Sequence, residues 1–169
     1  MRKDFQKGYT LIETMLTLTL CSVVAVTAIP AFQNTGRSQC DGAARKLVSD
    51  LSYARRLAQS RNALYGISFN AATDQYTVSL KSGGVETAVT DPLTNTSMTV
   101  DFTKLPGLKG VDIQSPSFGN TTKVWFNPQG IPQDASDSVL TTSGSVVLAH
   151  GGASKTVYVQ PNTGEVSYQ

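Results

Sequence analysis

Positions 14–32, TMLTLTLCSVVAVTAIPAF, form an apolar run of 19 residues near the start of the chain. Its length fits one membrane-spanning helix, because about 20 predominantly apolar residues cross the hydrocarbon core of a bilayer. The hydroxyl groups within the run can bond back to carbonyls one turn earlier, so lipid tolerates them. Pro30 lacks a backbone N–H and is expected to loosen or kink the helix near its end. The sequence therefore predicts an N-terminal membrane helix.

The flanks of this run predict its orientation. The preceding segment MRKDFQK is basic, whereas the first lysine or arginine after the run is Arg37. By the positive-inside rule, the N-terminus stays in the cytoplasm and the rest of the chain crosses the membrane. A cleaved secretory signal peptide is an alternative, but AVTAIPAF matches the required small-residue cleavage site poorly.

Glu13 is a carboxylate within the first turns of the predicted membrane helix. Such a group costs about 2.5–3.5 kcal/mol on insertion scales, so it usually has a partner and a function. The simpler alternative is a stray charge that snorkels into the headgroups of the cytoplasmic leaflet. If the chain were cut after Gly8, Tyr9 would carry a free ammonium that could neutralise the glutamate of a neighbouring subunit.

The basic leader, KGYTLIE and the apolar run with Pro30 together resemble the prepilin signal of type IV pilins and type II secretion pseudopilins. The resemblance implies that a prepilin peptidase cuts after Gly8 and methylates the new N-terminal residue, Tyr9. It also implies that Glu13 pairs with the N-terminal amine of an adjacent subunit during assembly. Tyr9 is a departure, because this family usually has phenylalanine at the cut.

Residues 38–62, SQCDGAARKLVSDLSYARRLAQSRN, have apolar or small side chains every three or four positions and predict an amphipathic helix. The predicted buried stripe consists of Cys40, Ala44, Leu47, Leu51, Ala54 and Ala58, broadened by Val48 and Leu57. The opposite face is predicted to carry Arg45, Asp50, Arg56 and Gln59. The preceding QNTGR, residues 33–37, is a candidate break, because a glycine such as Gly36 destabilises a helix by about 1 kcal/mol.

After Asn62 the apolar residues change from helical spacing to alternation, which predicts an antiparallel β region of about seven or eight strands. The last two strands enclose a hairpin turn at residues 162–164, and residues 82–97 are the predicted mobile loop. Trp125 and Phe126 are predicted to be buried rather than to bind a ligand. The predicted strands are ALYGISFN, QYTVSL, SMTVDF, VDI, KVWFN, SVVLA, KTVYVQ and EVSYQ.

Three stretches, LVSDLSYARRLAQSRN, WFNPQGIP and VYVQPNTGEV, resemble the GspH/FimT family of minor pseudopilins and minor pilins. The resemblance implies a pilin-like α+β fold, in which a long N-terminal helix, membrane-spanning in its first half, packs against an antiparallel β-sheet domain. The implied segments are a leader peptide at 1–8, a transmembrane and filament-core helix at 9–36, an amphipathic helix at 37–62 and a β domain at 63–169.

The same resemblance implies a structural subunit without catalytic activity and without a cofactor. It would reside in the bacterial inner membrane as a single-pass protein, with a cytoplasmic N-terminus and a periplasmic C-terminal domain, until it enters a pilus or pseudopilus. The implied partners are prepilin peptidase, other pilins or pseudopilins and the inner membrane. The implied role is priming or capping a type II secretion pseudopilus or a type IV pilus.

The alternative function is that of a DNA-binding minor pilin for natural transformation. Family members with that function are thought to use an arginine-rich C-terminal hairpin, whereas this chain ends in TGEVSYQ, with Glu165 in place of an arginine. Residues 62–169 carry a net charge of −3, and phosphate binding needs clustered lysine or arginine. Residues 37–61 carry +4, but a solvated helix face or contacts with subunits explain those arginines better. Nucleic acid is therefore a disfavoured partner.

Other chemistry has little support in the sequence. His150 is the only histidine, and no cysteine or carboxylate pair lies beside it at the spacing of a metal site or a catalytic triad. Asp134 and Asp137, in DASD, could hold calcium together with loop carbonyls, although such a short acidic loop is usually solvated. No catalytic, cofactor-binding or metal-binding residue is therefore predicted.

Overall fold

This computed structural model describes residues 10–92 and 94–169, without the side chains of residues 24–35. In these residues one helix, α1 at Leu11–Arg61, precedes ten β-strands. Gly8 and Tyr9 lie outside the described residues. The chain divides into two units, Met1–Thr35 and Gly36–Gln169. Within the described residues, no helical segment is both long enough and apolar enough to cross a bilayer.

The candidate helix break at residues 33–37 does not occur, because α1 continues through both Pro30 and Gly36. Gly36 has a packing role instead. A Cβ at this position would lie 2.9 Å from the backbone oxygen of His150, so only glycine lets the helix approach that strand so closely. The kink expected at Pro30 stays a prediction.

The strands form two antiparallel sheets. The first has the order β3-β2-β1-β6-β7, with β4 also paired to β2, and the second has the order β10-β9-β8-β5. Their bounds are β1 Leu64–Asn70, β2 Gln75–Ser82, β3 Val85–Ala88, β4 Thr99–Asp101, β5 Asp112–Ser117, β6 Lys123–Phe126, β7 Pro132–Gln133, β8 Gly144–His150, β9 Ala153–Val159 and β10 Val166–Tyr168.

All eight predicted strands are present, and two further strands were not predicted. One of them, β3, lies inside residues 82–97, so the prediction of a mobile loop there is wrong for Val85–Ala88. All four side chains of β3 are exposed, so the strand has no alternation that would reveal it in the sequence. The other, β7, has only two residues. The predicted final hairpin is confirmed by hydrogen bonds between Gln160 and both Gly164 and Glu165.

The core of the second unit lies between α1 and the inner faces of the sheets. The six main residues of the predicted helix stripe are fully buried and Ala43 joins them, whereas Val48 and Leu57 are partly buried. Trp125 and Phe126 are both buried, as predicted, but they occupy opposite faces of β6. Phe126 joins the central hydrophobic cluster, whereas Trp125 lies beneath the Lys81 ammonium, 5.7 Å from the ring centre. The α+β fold predicted from the sequence is confirmed.

Candidate assembly interface

The first turns of α1 present a continuous apolar surface to solvent. Seven large side chains there are between 60% and 78% exposed, far above what an unassociated soluble helix shows. A large exposed apolar patch marks a surface that contacts protein or lipid. The residues are Leu11, Ile12, Met15, Leu16, Leu18, Leu20 and Val23.

The hydroxyl groups among these residues do not interrupt the apolar character. Each described one donates to a backbone carbonyl three residues earlier, as predicted, so its hydrogen-bonding capacity is satisfied within the helix. The bonds are Thr14 Oγ1 to Leu11 O (2.8 Å), Thr17 Oγ1 to Thr14 O (2.9 Å), Thr19 Oγ1 to Leu16 O (2.9 Å) and Ser22 Oγ to Thr19 O (2.8 Å).

Glu13 is exposed in the first turn of α1, three residues after Thr10. Its backbone N–H donates to the Thr10 hydroxyl at 3.3 Å, which caps the start of the helix. The T-x-x-E spacing is that of a capping box, a signal that the sequence interpretation overlooked. The carboxylate also interacts favourably with the positive end of the helix dipole. Among the described residues Glu13 forms no ion pair, which leaves it available to an external cation.

A buried polar network joins α1 to the first sheet. Asp50 is only 4% exposed, so its predicted position on the solvent face is wrong. Its carboxylate accepts a hydrogen bond from the Tyr76 hydroxyl at 2.7 Å and is paired with the Lys46 ammonium at 2.8 Å. Asp50 lies three residues after the buried Leu47, at the border of the stripe, and Tyr76 of β2 supplies the donor that makes burial possible.

This buried network shifts the pKa of Tyr76. Burial raises the pKa of its hydroxyl well above 10.0, and the negative charge of Asp50 adds to the shift. Below pH 10 the hydroxyl is neutral in both the folded and the unfolded chain, so its stabilising contribution is complete. As the pH rises further, the unfolded chain loses the proton first, and the contribution is progressively lost.

We therefore expect the free energy of unfolding to fall as the pH rises above 10, by at most about 1.4 kcal/mol per pH unit on account of this one group. Tyr76→Phe removes the titrating group and should show a shallower fall, which urea unfolding at a series of pH values would measure. If the free energy of unfolding falls equally with pH in the wild type and in Tyr76→Phe, Tyr76 is not the group responsible.

The other sequence candidates have local structural partners. Asp134 Oδ1 accepts the backbone N–H groups of Ser136 and Ser138, and Asp137 pairs with Lys81 at 2.6 Å. His150 Nδ1 forms a hydrogen bond with the backbone oxygen of Gly110. Within the described residues, no group of three or more histidine, cysteine or acidic side chains is placed to hold a metal ion.

A single arginine of α1 lies where the three family-like stretches of sequence meet. Arg55 packs against Gly130 of the NPQGIP loop and Gly164 of the final hairpin, and Gln59 donates to Gln129 O at 3.4 Å beside it. We call Arg55, Gln59, Gly130 and Gly164 the arginine slot. The sequence interpretation missed it, because helical periodicity does not show which loops of a β domain reach a given turn.

Known proteins resemble this chain in sequence profile and in fold. The family described as type II transport protein GspH matches residues 43–164, and the prokaryotic N-terminal methylation motif matches residues 3–29. Comparison with curated protein sequences gives no match.

Two solved structures share the fold. The minor pseudopilin EpsH from the type 2 secretion system of Vibrio cholerae has a TM-score of 0.57 at 10% identity, over 78% of this chain and 96% of EpsH. The type IV minor pilin FimU of Pseudomonas aeruginosa has a TM-score of 0.53 at 15% identity, over 79% of this chain and 90% of FimU. These similarities support the pilin-like architecture predicted from the sequence.

Proposed function

Because the chain belongs to the GspH family of type II transport proteins, we propose that it is a minor pilin or pseudopilin that is processed at its N-terminus and assembled into a filament. The observation that carries this proposal is the exposed apolar surface of α1 between residues 11 and 23. Such a surface needs lipid before assembly and neighbouring helices afterwards, which is what a filament subunit requires.

Processing starts at the leader. Prepilin peptidase cuts after Gly8, removes residues 1–8 and methylates the amine of Tyr9. The match of residues 3–29 to the N-terminal methylation motif supports this step. Glu13, exposed and without an ion pair among the described residues, then neutralises the N-terminal amine of an adjacent subunit. This pairing brings subunits together at a fixed stagger.

Before assembly the protein is held in the bacterial inner membrane as a single-pass protein with a cytoplasmic N-terminus. Residues 9–36 form the transmembrane and filament-core helix, and the amphipathic helix 37–62 carries the β domain of residues 63–169 in the periplasm. The subunit primes or caps the filament and has no catalytic activity. EpsH belongs to a secretion system and FimU to a type IV pilus, so the similarities support both kinds of filament.

Photo-crosslinking in cells from a probe at Ser52 tests this function. Ser52 is partly exposed and lies off the buried stripe, so a probe there leaves the core intact. We expect mass spectrometry to identify pilins or pseudopilins among the attached neighbours. Secretion pseudopilins would assign the subunit to a type II system, and pilins would assign it to a pilus. If the probe captures neither class although the chain is expressed and folded, the proposed function is wrong.

A further inference from the structure

Arg55 differs from the other partly buried cations of the described residues. Lys46, Lys81 and Lys123 each pair with a carboxylate and the Lys155 ammonium lies over an aromatic ring, whereas Arg55 has neither an ion pair nor a hydrogen bond. Its Nε atom is buried and has no acceptor. A guanidinium is always charged, and a buried N–H without an acceptor is unfavourable. The Arg55 guanidinium therefore lacks both an acceptor and a counter-charge in the isolated chain.

The protein backbone holds the Arg55 side chain in place. Gly130 and Gly164 are buried and have positive φ angles of 80° and 64°. A Cβ on Gly130 would lie 3.0 Å from Arg55 Nε, and a Cβ on Gly164 would lie 2.3 Å from Gly130 O. Larger residues would therefore collide with the arginine or with the facing loop. The fold thus brings two glycine turns against one unpaired guanidinium.

We propose that Arg55 binds a carboxylate side chain of a neighbouring filament subunit, an inference that rests on the proposed assembly function. A planar guanidinium forms two parallel hydrogen bonds with a carboxylate, which gives the contact a defined direction. The bound carboxylate contacts the outer nitrogens of the guanidinium and balances its charge, whereas the buried Nε stays enclosed by the slot. The contact orients the globular unit of one subunit on the next, separately from the pairing of Glu13 in the membrane.

Charge favours a protein carboxylate over the phosphates of a nucleic acid. Binding to DNA needs several clustered cations. Of the six cations at residues 37–61, two are neutralised within the helix, Arg45 by Asp41 and Lys46 by Asp50. The other four are Arg37, Arg55, Arg56 and Arg61, of which only Arg55 is partly buried and held by the fold. The exposed Glu165, next to Gly164, repels a polyanion more strongly than a single carboxylate. One cation held in a fixed place suits one carboxylate.

The first test measures incorporation of the full chain into sheared filaments, with leader removal followed separately by gel mobility. We expect Arg55→Gln to lower incorporation at least about tenfold while the leader is still removed and the thermal transition of the purified chain is unchanged. Arg56→Gln is the matched control, because Arg56 is exposed on the same turn, and it should stay within about twofold of the wild type. Wild-type incorporation of Arg55→Gln would overturn the proposal.

A charge exchange identifies the partner and remains informative if the first variant is unstable. A photo-crosslinking probe at Gln59, the exposed residue of the slot, locates the contacting subunit and its acidic residues. We expect Arg55→Glu to abolish incorporation, and an acidic-to-arginine substitution in that subunit to restore it to within about twofold. If no such substitution restores it, or if Glu165→Gln alone reproduces the Arg55→Gln defect, the carboxylate does not come from a neighbour and the proposal is wrong.

Further results distinguish this inference from DNA binding and from the proposed function. If the full chain in detergent binds duplex DNA through Arg55 with a steep dependence on salt, the ligand is phosphate and the carboxylate assignment is overturned. If Arg55→Gln assembles normally while Glu13→Ala does not, this inference fails and the proposed function stands. If the wild-type chain never enters a filament, the proposed function itself fails.

Discussion

Glu13→Ala should lower filament incorporation by roughly 30- to 150-fold without affecting removal of the leader. The loss reflects an N-terminal ammonium that remains unpaired in an apolar environment, at a cost of about 2–3 kcal/mol, since each 1.4 kcal/mol corresponds to a factor of ten. The proposed cut after Gly8 would depend on the peptidase and its recognition of the leader, so gel mobility should show normal processing. Incorporation would be measured by immunoblotting sheared filaments against total cell protein.

Glu13→Gln is the informative control, because the structure gives Glu13 a second role at the start of α1. Glutamine serves in a capping box about as well as glutamate, but it cannot neutralise an ammonium. If the charge pair drives assembly, Glu13→Gln should be as defective as Glu13→Ala. Normal assembly of the glutamine variant would show that Glu13 acts through the helix cap and would exclude the ion pair. Gly8→Ala should differ from both by keeping the leader attached.

Asp50→Ala should lower the free energy of unfolding by about 2–4 kcal/mol. The substitution leaves the buried Tyr76 hydroxyl without its acceptor, a loss of about 1–3 kcal/mol, and opens a small cavity beside Leu47. The partly exposed Lys46 adds little, because its ammonium can return to water. Urea unfolding of the purified protein, monitored by circular dichroism, would measure the change.

Two variants define the cause of that loss. Asp50→Asn keeps an oxygen that can accept from Tyr76, so it should lose only about 1 kcal/mol. Asp41→Ala removes an exposed ion pair with Arg45 on the same helix and should lose no more than about 0.5 kcal/mol. A loss for Asp50→Ala as small as that for Asp41→Ala would show that the buried network contributes little.

Much of the fold could be predicted from the sequence, because burial on one face produces a repeating pattern. The helix stripe repeats every three or four residues, and the strands that line the core alternate. Strand β3 was missed, since both of its faces are exposed and no apolar pattern marks it. The burial of Asp50 was missed because it depends on Tyr76, which is 26 residues away in the sequence.

The candidate sites also differ in whether a local sequence pattern or a long-range contact marks them. Glu13 was selected as a candidate from local spacing, and its role in assembly stays a prediction; the spacing T-x-x-E would also have revealed the cap at Thr10. The slot around Arg55 could not be found in this way, because it requires two loops that are far apart in sequence to meet on one turn of the helix. Gly8 and Tyr9 rest on the motif alone, since they lie outside the described residues.

The Asp50–Tyr76 hydrogen bond also determines the register of the helix on the sheet. The face of α1 that contacts the sheets combines four alanines, Ala43, Ala44, Ala54 and Ala58, with two large side chains, Leu47 and Leu51. Apolar contact is not directional, so over the small side chains it changes less than a hydrogen bond does when a helix slides or rotates by part of a turn. A hydrogen bond to a buried charge depends on distance and direction, and it is satisfied in one alignment only. We infer that this polar pair, together with the close approach of Gly36 and the Gln59–Gln129 hydrogen bond, selects that alignment, whereas the apolar contacts supply most of the binding energy.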